Sequence, residues 1–145
     1  YAIPLLKIRE VIGHAESTPI PYAPKYFKGI MNLRGQVISV IDMKEKFGMP
    51  KTEVDTETTI IILDLARMSI GSIVDRVNSV ITVDPEKIAP PPEIHSAVRT
   101  DFISGVYQKD DKLIILLNIE RILSESDMAA AKAQSSSAPP VAKAA

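Results

Sequence analysis

Two histidines, three aspartates beside β-prone runs and two short charged segments are the residues of this 145-residue chain whose types could support chemistry. His14 and His95 stand 81 positions apart, each in Pro-rich or loop-like surroundings. Zinc ordinarily takes three or four ligands. With no cysteine in the chain, two solvated or locally bonded imidazoles are a better reading of this pair than a shared metal centre. Asp42, Asp64 and Asp75 each end or interrupt a strand-like run. Carboxylates there serve as caps and turn stabilisers, and none has an identifiable partner base for proton transfer. Phosphate-cradling Gly-rich loops, His-Glu-x-x-His and Gly-x-Ser-x-Gly are all absent. No catalytic residue, metal or cofactor is assigned, and an enzyme is not expected.

The charged segments are Lys7-Ile-Arg-Glu10 and Asn32-Leu-Arg-Gly35. The first leaves charges beside Ile8 and Val11 along a strand. The second places a guanidinium at a hairpin bend, with Gly35 supplying positive φ and Asn32 bonding its own backbone. Taken singly, the second is ordinary turn chemistry. Glu10 alone is a solvated charge or a surface ion pair worth at most about 1 kcal/mol. Spacing by itself supports a soluble all-β domain that binds rather than catalyses.

The elements that must position these residues follow from composition. Ile occurs 20 times, Val 11 and Leu 9, and β-branched side chains pack well on a pleated surface. Strands are predicted at Tyr1–Leu5, Lys7–Ile12, Gly29–Leu33, Gln36–Ile41, Thr59–Leu65, Met68–Val77, Ser79–Val83, Phe102–Tyr107 and Lys112–Leu117, with Ile60–Leu63 fully buried. Thr18–Pro24 is a stiff extended connector, Lys25–Lys28 a single turn, and Pro90–Pro92 a rigid linker. Asp42 caps a short helix at Met43–Phe47, which Gly48 and Pro50 end, and Asn118 caps another at Ile119–Ser124 that reaches toward Met128. Lys51–Thr58 is a polar loop.

Charge and composition exclude several classes. The net charge is −1; Ala129–Ala145 carries two lysines and no acid, so the body stands at −3 and the tail at +2. Nucleic-acid binding would need a focused basic, aromatic-lined face, which three Phe, four Tyr and no Trp do not readily supply. No run of about 18 apolar residues spans a membrane, and no signal-peptide pattern opens the chain, so an intracellular domain is the default. Residues 1–128 read as one folded domain. Residues 129–145 form an Ala/Ser/Pro-rich tail with Val141 as its one large aliphatic side chain, and disorder is expected there.

The body also echoes itself. Gly29 leads through a hairpin to Asp42 and an apolar-led helix, and Gly105 leads in the same way to Asn118; both intervals are 13 positions. Two similarly built small barrels would explain the echo, and so would chance reuse of a hairpin-to-helix device.

Read together, Tyr1–Ile12, Pro24–Asp42, Ile73–Val77, Ile88–Pro92 and Phe102–Leu123 resemble, in order and spacing, the CheW-like family of bacterial chemotaxis coupling proteins. The resemblance implies an all-β fold of two small five-stranded SH3-like barrels around a shared core, with short helices. It implies a non-enzymatic cytoplasmic adaptor, without cofactor, recruited to membrane receptor arrays. Its partners would be the regulatory domain of the histidine kinase CheA and the cytoplasmic tips of chemoreceptors. By motif match, receptor contact falls on Ile8, Glu10, Asn32, Arg34 and Gly35, with Gly29 a backbone-critical glycine in the same segment. Family members carry a further segment with a first strand before the position of Tyr1. Either the sequence is a fragment whose natural beginning is missing, or strand exchange or an edge-paired dimer compensates, because a missing strand leaves backbone groups unpaired. Competing readings are a CheW-like regulatory domain of a larger scaffold or kinase and, in a different class, a small nucleic-acid-binding β-barrel.

Overall fold

Runs of Ile and Val in this chain become ladders wherever a partner run lies alongside. The computed structural model describes residues 1–65, 68–90 and 102–122. Strands β1 (Ile8–Gly13), β2 (Phe27–Leu33), β3 (Gln36–Asp42), β4 (Thr59–Leu65) and β5 (Met68–Val74) form one sheet in the order β1-β4-β5-β3-β2. Strands β6 (Ile88–Ala89), β7 (Ile103–Lys109) and β8 (Lys112–Leu117) form a second. Every ladder is antiparallel except β3–β5. Two single-turn helices, α1 (Met43–Lys46) and α2 (Ile119–Ile122), follow β3 and β8.

β4 explains why one core serves both sheets. Its Ile60 and Ile62 join Ile38, Val40 and Ile73 in one cluster. Its Ile61, Leu63 and Leu65 join Phe27, Ile41, Met43 and Ile70 in another, and Leu117 of the second sheet with Ile119 and Ile122 of α2 enter that same cluster. A strand buried on both faces needs a continuous apolar run, which is what Ile60-Ile-Ile-Leu63 supplies. An aromatic stack crosses the same junction: Phe47 stacks on Phe102 at 4.9 Å between ring centroids and on Tyr1 at 6.0 Å.

The five-stranded sheet curls back on itself. Beyond β1 the chain returns to β2, where Thr18 and Ile30 exchange backbone hydrogen bonds of 2.8 and 2.9 Å. Gly29 makes this possible: its φ is +132°, and a Cβ there would lie 2.0 Å from the Thr18 carbonyl oxygen. Asp42 fixes the next corner. Fully buried, its carboxylate accepts from the backbone N–H of Lys44 and Glu45, from the Thr52 N–H at 2.7 Å and from the Thr52 hydroxyl at 2.9 Å. The predicted cap is therefore present, and it also ties down the loop that follows α1.

The hairpin echo is structural. Gly29 faces Val40 and Gly105 faces Leu116; Ile30 faces Ser39 and Val106 faces Ile115; Leu33 faces Gln36 and Lys109 faces Lys112. Each ladder has a register shift immediately before its glycine, and each corresponding residue lies 76 positions on. Asp42 N–H donates to the Tyr26 carbonyl and Asn118 N–H to the Phe102 carbonyl, both at 2.7 Å.

Three predicted strands need correction. Tyr1–Leu5 is a single parallel bridge at Ala2, opposite Leu116, followed by a 3-10 turn at Leu5–Lys7 that the rigid φ of Pro4 introduces. Met68–Val77 ends at Val74, where the pairing with β4 runs out at Thr59. Ser79–Val83 joins no ladder, and Val80 stands exposed. The hydrogen-bonded sheets hold five strands and three among the described residues. His95, Pro91 and Pro92, the extension of the last helix beyond Ile122 and the tail at 129–145 lie outside the described residues.

Candidate functional site

The β2–β3 turn takes positive φ at both central residues, +53° at Arg34 and +87° at Gly35. This is the twist-matched geometry of a two-residue hairpin, and a non-glycine residue adopts it only under some strain. Asn32 Oδ1 accepts from Gly35 N–H at 2.8 Å and braces the turn from the strand side.

That brace fixes where the guanidinium goes. Arg34 Nη1 donates to Glu10 Oε1 at 2.8 Å and Nη2 to Oε2 at 2.9 Å, a two-pronged fork. Beside it, Arg9 Nη1 donates to Gln36 Oε1 at 2.9 Å. Glu10 and Arg9 belong to β1, an edge of the ladder order, and Arg34 and Gln36 to the β2–β3 hairpin at the other edge. These contacts are the side-chain counterpart of the Thr18–Ile30 bridge. The Glu10 side chain is 20% exposed and that of Arg34 is 74% exposed. The carboxylate is thus seated and the guanidinium faces outward. Two of the five guanidinium N–H groups are committed to Glu10, and the rest can donate to a second carboxylate or to carbonyls at a helix end.

The predicted site residues divide into three groups. Glu10, Asn32, Arg34 and Gly35 gather at one hairpin tip. Ile8 sits opposite Leu63 and is half-buried against the shared core, away from that hairpin's hydrogen bonds. Gly29 lies at the Thr18 bridge and acts on the backbone. Arg9 and Gln36 belong to the same cluster and were not singled out from sequence, although Arg9 lies within the Lys7–Glu10 segment. Glu10 and Arg34, both assigned to partner contact from sequence, are hydrogen-bonded to each other.

The two other aspartates singled out from sequence have structural employment. Asp64 accepts from Ser69 across the β4–β5 hairpin, and Asp75 pairs with Lys44. His14 N–H donates to the Thr58 carbonyl, which carries the β1–β4 pairing one residue further. A cleft of about 670 Å³ opens beyond the end of β1, lined by His14, Glu16, Lys28, Lys51 and Glu53 among others. None of the residues predicted from sequence for partner contact lines it. Lys7 lies 2.6 Å from Glu120 on α2, and this hydrogen bond, followed by the lysine's charge, holds the Glu120 carboxyl below its ordinary pKa.

Residues 1–127 match the family described as CheW-like domain. This chain belongs to the CheW-like family. It is 33% identical over 129 residues to the chemotaxis protein CheW of Klebsiella aerogenes, covering 89% of this chain and 78% of that protein. It is also 33% identical over 131 residues to the probable chemotaxis protein CheW of Rhizobium etli, covering 90% and 84%. The crystal structure of the scaffolding protein TtCheW from Thermoanaerobacter tengcongensis superposes with a TM-score of 0.78 at 35% identity, over 88% of this chain and 82% of that one. Membership places the chain among chemotaxis coupling proteins and accounts for the β-rich two-sheet architecture. Among the described residues no helix is long and apolar enough to cross a membrane.

Proposed function

We propose that this CheW-like chain is a non-enzymatic adaptor that couples chemoreceptor cytoplasmic tips to the regulatory domain of the histidine kinase CheA, at the cytoplasmic side of receptor arrays. The observation that carries this reading is its likeness, over most of its length, to a protein described as a scaffold. The hairpin tip supplies a matching physical device. A receptor tip is helical, and a guanidinium held in place by a seated carboxylate offers orientation without a large entropic penalty on binding. Arg34 is the contact residue, Glu10 sets its direction, and Asn32 with Gly35 holds the turn. Ile8 and Gly29 keep β1 and β2 where the fork can close.

Adaptor action is equilibrium bridging. One surface holds the kinase domain and the Arg34 tip holds the receptor, so a receptor conformational change reaches the kinase as a difference in affinity or geometry. Individual contacts of modest strength suffice, because an array makes second binding events intramolecular. The test is a pull-down of this chain with a CheA regulatory domain and, separately, with a receptor cytoplasmic fragment. Capture of both supports the proposal. Failure of a folded sample to capture either leaves family membership intact and removes the adaptor reading.

A further inference from the structure

Arg9 and Glu10 are neighbours on β1, and in a regular strand their side chains leave on opposite faces. Here both reach the β2–β3 hairpin, Glu10 at Arg34 and Arg9 at Gln36. A bulge allows it. Ile8 pairs with Leu63 and Glu10 with Ile62, so two steps along β1 answer one step along β4, and Arg9 is the residue without a counterpart. Bulges at the rim of a curled sheet re-aim a side chain in this way.

That rim gathers the ends of the sheet's strands. β1, β3 and β5 begin there at Ile8, Gln36 and Met68, and β2 and β4 end there at Leu33 and Leu65. Arg9 spans it. Its Nη1 donates to Gln36 Oε1 on β3 at 2.9 Å and to Ser69 Oγ on β5 at 3.5 Å. Ser69 Oγ donates in turn to Asp64 Oδ1 on β4 at 3.3 Å.

The two arginines of this rim are held differently. Arg34 closes on both oxygens of Glu10, so a direct pair neutralises its charge. Arg9 bonds only neutral acceptors. Among the described residues it forms no ion pair, and Asp64 is reached only through Ser69. Both of its bonds leave from Nη1, so the Nε–Nη2 edge, which can fork onto a carboxylate, makes none among the described residues. The side chain is also exposed. Gln36 therefore orients a guanidinium whose charge and second edge are both available to a partner.

We propose that Arg9 is a second partner-contact residue and makes this rim selective for an acidic receptor segment, one that offers a carboxylate to Arg9 and another acceptor to Arg34. The proposal rests on the adaptor reading and names the chemistry its receptor must carry. A receptor tip without that carboxylate covers the guanidinium and leaves it unpaired, which turns the cost of desolvation against the wrong partner.

The test is receptor-fragment binding by calorimetry and stopped flow over a salt series, for the wild-type chain, Arg9→Gln and Lys109→Gln. Lys109 is exposed at the end of β7, off the rim, so its loss removes an equal charge elsewhere. Arg9→Gln is expected to weaken receptor binding about tenfold at low salt, with the deficit shrinking as salt rises. Kinase-domain binding should stay as it was, and Lys109→Gln should change receptor binding by less than about twofold. Arg9→Lys should recover association rate but leave affinity at least about threefold short, since an ammonium makes no fork. Combined with Arg34→Ala, the Arg9→Gln loss should multiply, because each arginine meets its own acceptor.

A wild-type chain that binds the receptor fragment no better than Arg9→Gln overturns the proposal. So does an equal loss in Lys109→Gln, which makes the effect one of overall charge. A loss that vanishes on the Arg34→Ala background also overturns it, by making Arg9 a brace for Arg34. Where Arg9→Gln loses kinase binding as well, Arg9→Lys decides, and wild-type receptor affinity in that variant overturns the fork. A wild-type chain that binds no receptor fragment at all removes the adaptor reading itself, and this inference with it.

Discussion

Replacing Gly29 with alanine tests how this sheet closes. The added Cβ would stand 2.0 Å from the Thr18 carbonyl oxygen and 2.5 Å from its carbon, both backbone atoms that no side-chain rotation can clear. The chain must then either part Thr18 from Ile30, losing hydrogen bonds of 2.8 and 2.9 Å, or abandon the backbone angle of +132°. Two backbone hydrogen bonds are worth about 1 kcal/mol each, and positive-φ strain on alanine adds about 1–2 kcal/mol, so a loss of about 3–4 kcal/mol follows. With a urea slope of about 2 kcal/mol/M, the denaturation midpoint falls by roughly 1.5–2 M. Two glycines calibrate the result. Gly13, with nothing within 4 Å and no positive φ, should tolerate alanine within about 0.5 kcal/mol. Gly35 has open space but a φ of +87°, so only strain applies and the loss should fall between the other two. A Gly29→Ala midpoint no lower than that of Gly35→Ala would refute the claim that closure against Thr18 is what this glycine is for.

Asp42→Ala removes a buried carboxylate that four donors share, and should lower stability by about 2–4 kcal/mol in the same urea assay, with Asp42→Asn less harmful because it keeps an acceptor. Arg34→Ala should change stability by less than about 1 kcal/mol, because its ion pair is largely exposed, while weakening receptor-fragment binding roughly tenfold or more by calorimetry. Arg34→Lys should recover little of that binding, since an ammonium cannot reproduce the fork. Glu120 should titrate below its ordinary value in an NMR pH series and return toward it in Lys7→Ala. Because its folded pKa is depressed, the stabilising contribution is present above the unfolded value and disappears as pH falls through the folded one; added salt should diminish it.

Much of the first sheet was legible because its signals are local. A continuous apolar run marked β4 as buried on both faces, Arg34-Gly35 marked a tight turn, and an aspartate ahead of Met43 marked a cap. Asn32 bonding its own turn was legible for the same reason. The failures share one cause, which is that a strand exists only where a neighbour completes its ladder. Ser79–Val83 has the composition of a strand and no partner among the described residues, so propensity alone misassigned it. Tyr1–Leu5 reaches β8 at one residue before Pro4 ends the run. The candidate site was legible in its residues and not in their relations. Glu10 and Arg34 lie 24 positions apart on opposite edges of the ladder, and only the curl of the sheet makes them partners. The internal echo left duplication and chance open from sequence. The structure carries the echo through the register of both hairpins and into the Asp42 and Asn118 backbone bonds.

The central claim is that one chain holds two partners at once through different surfaces. The most direct measurement is ternary-complex formation by analytical ultracentrifugation, with this chain, a CheA regulatory domain and a receptor cytoplasmic fragment mixed pairwise and together. The account predicts both binary complexes and a heavier ternary species, with Arg34→Ala abolishing the receptor-containing species and sparing the kinase complex. Competition between kinase and receptor for the chain, with no ternary species at any ratio, would contradict it.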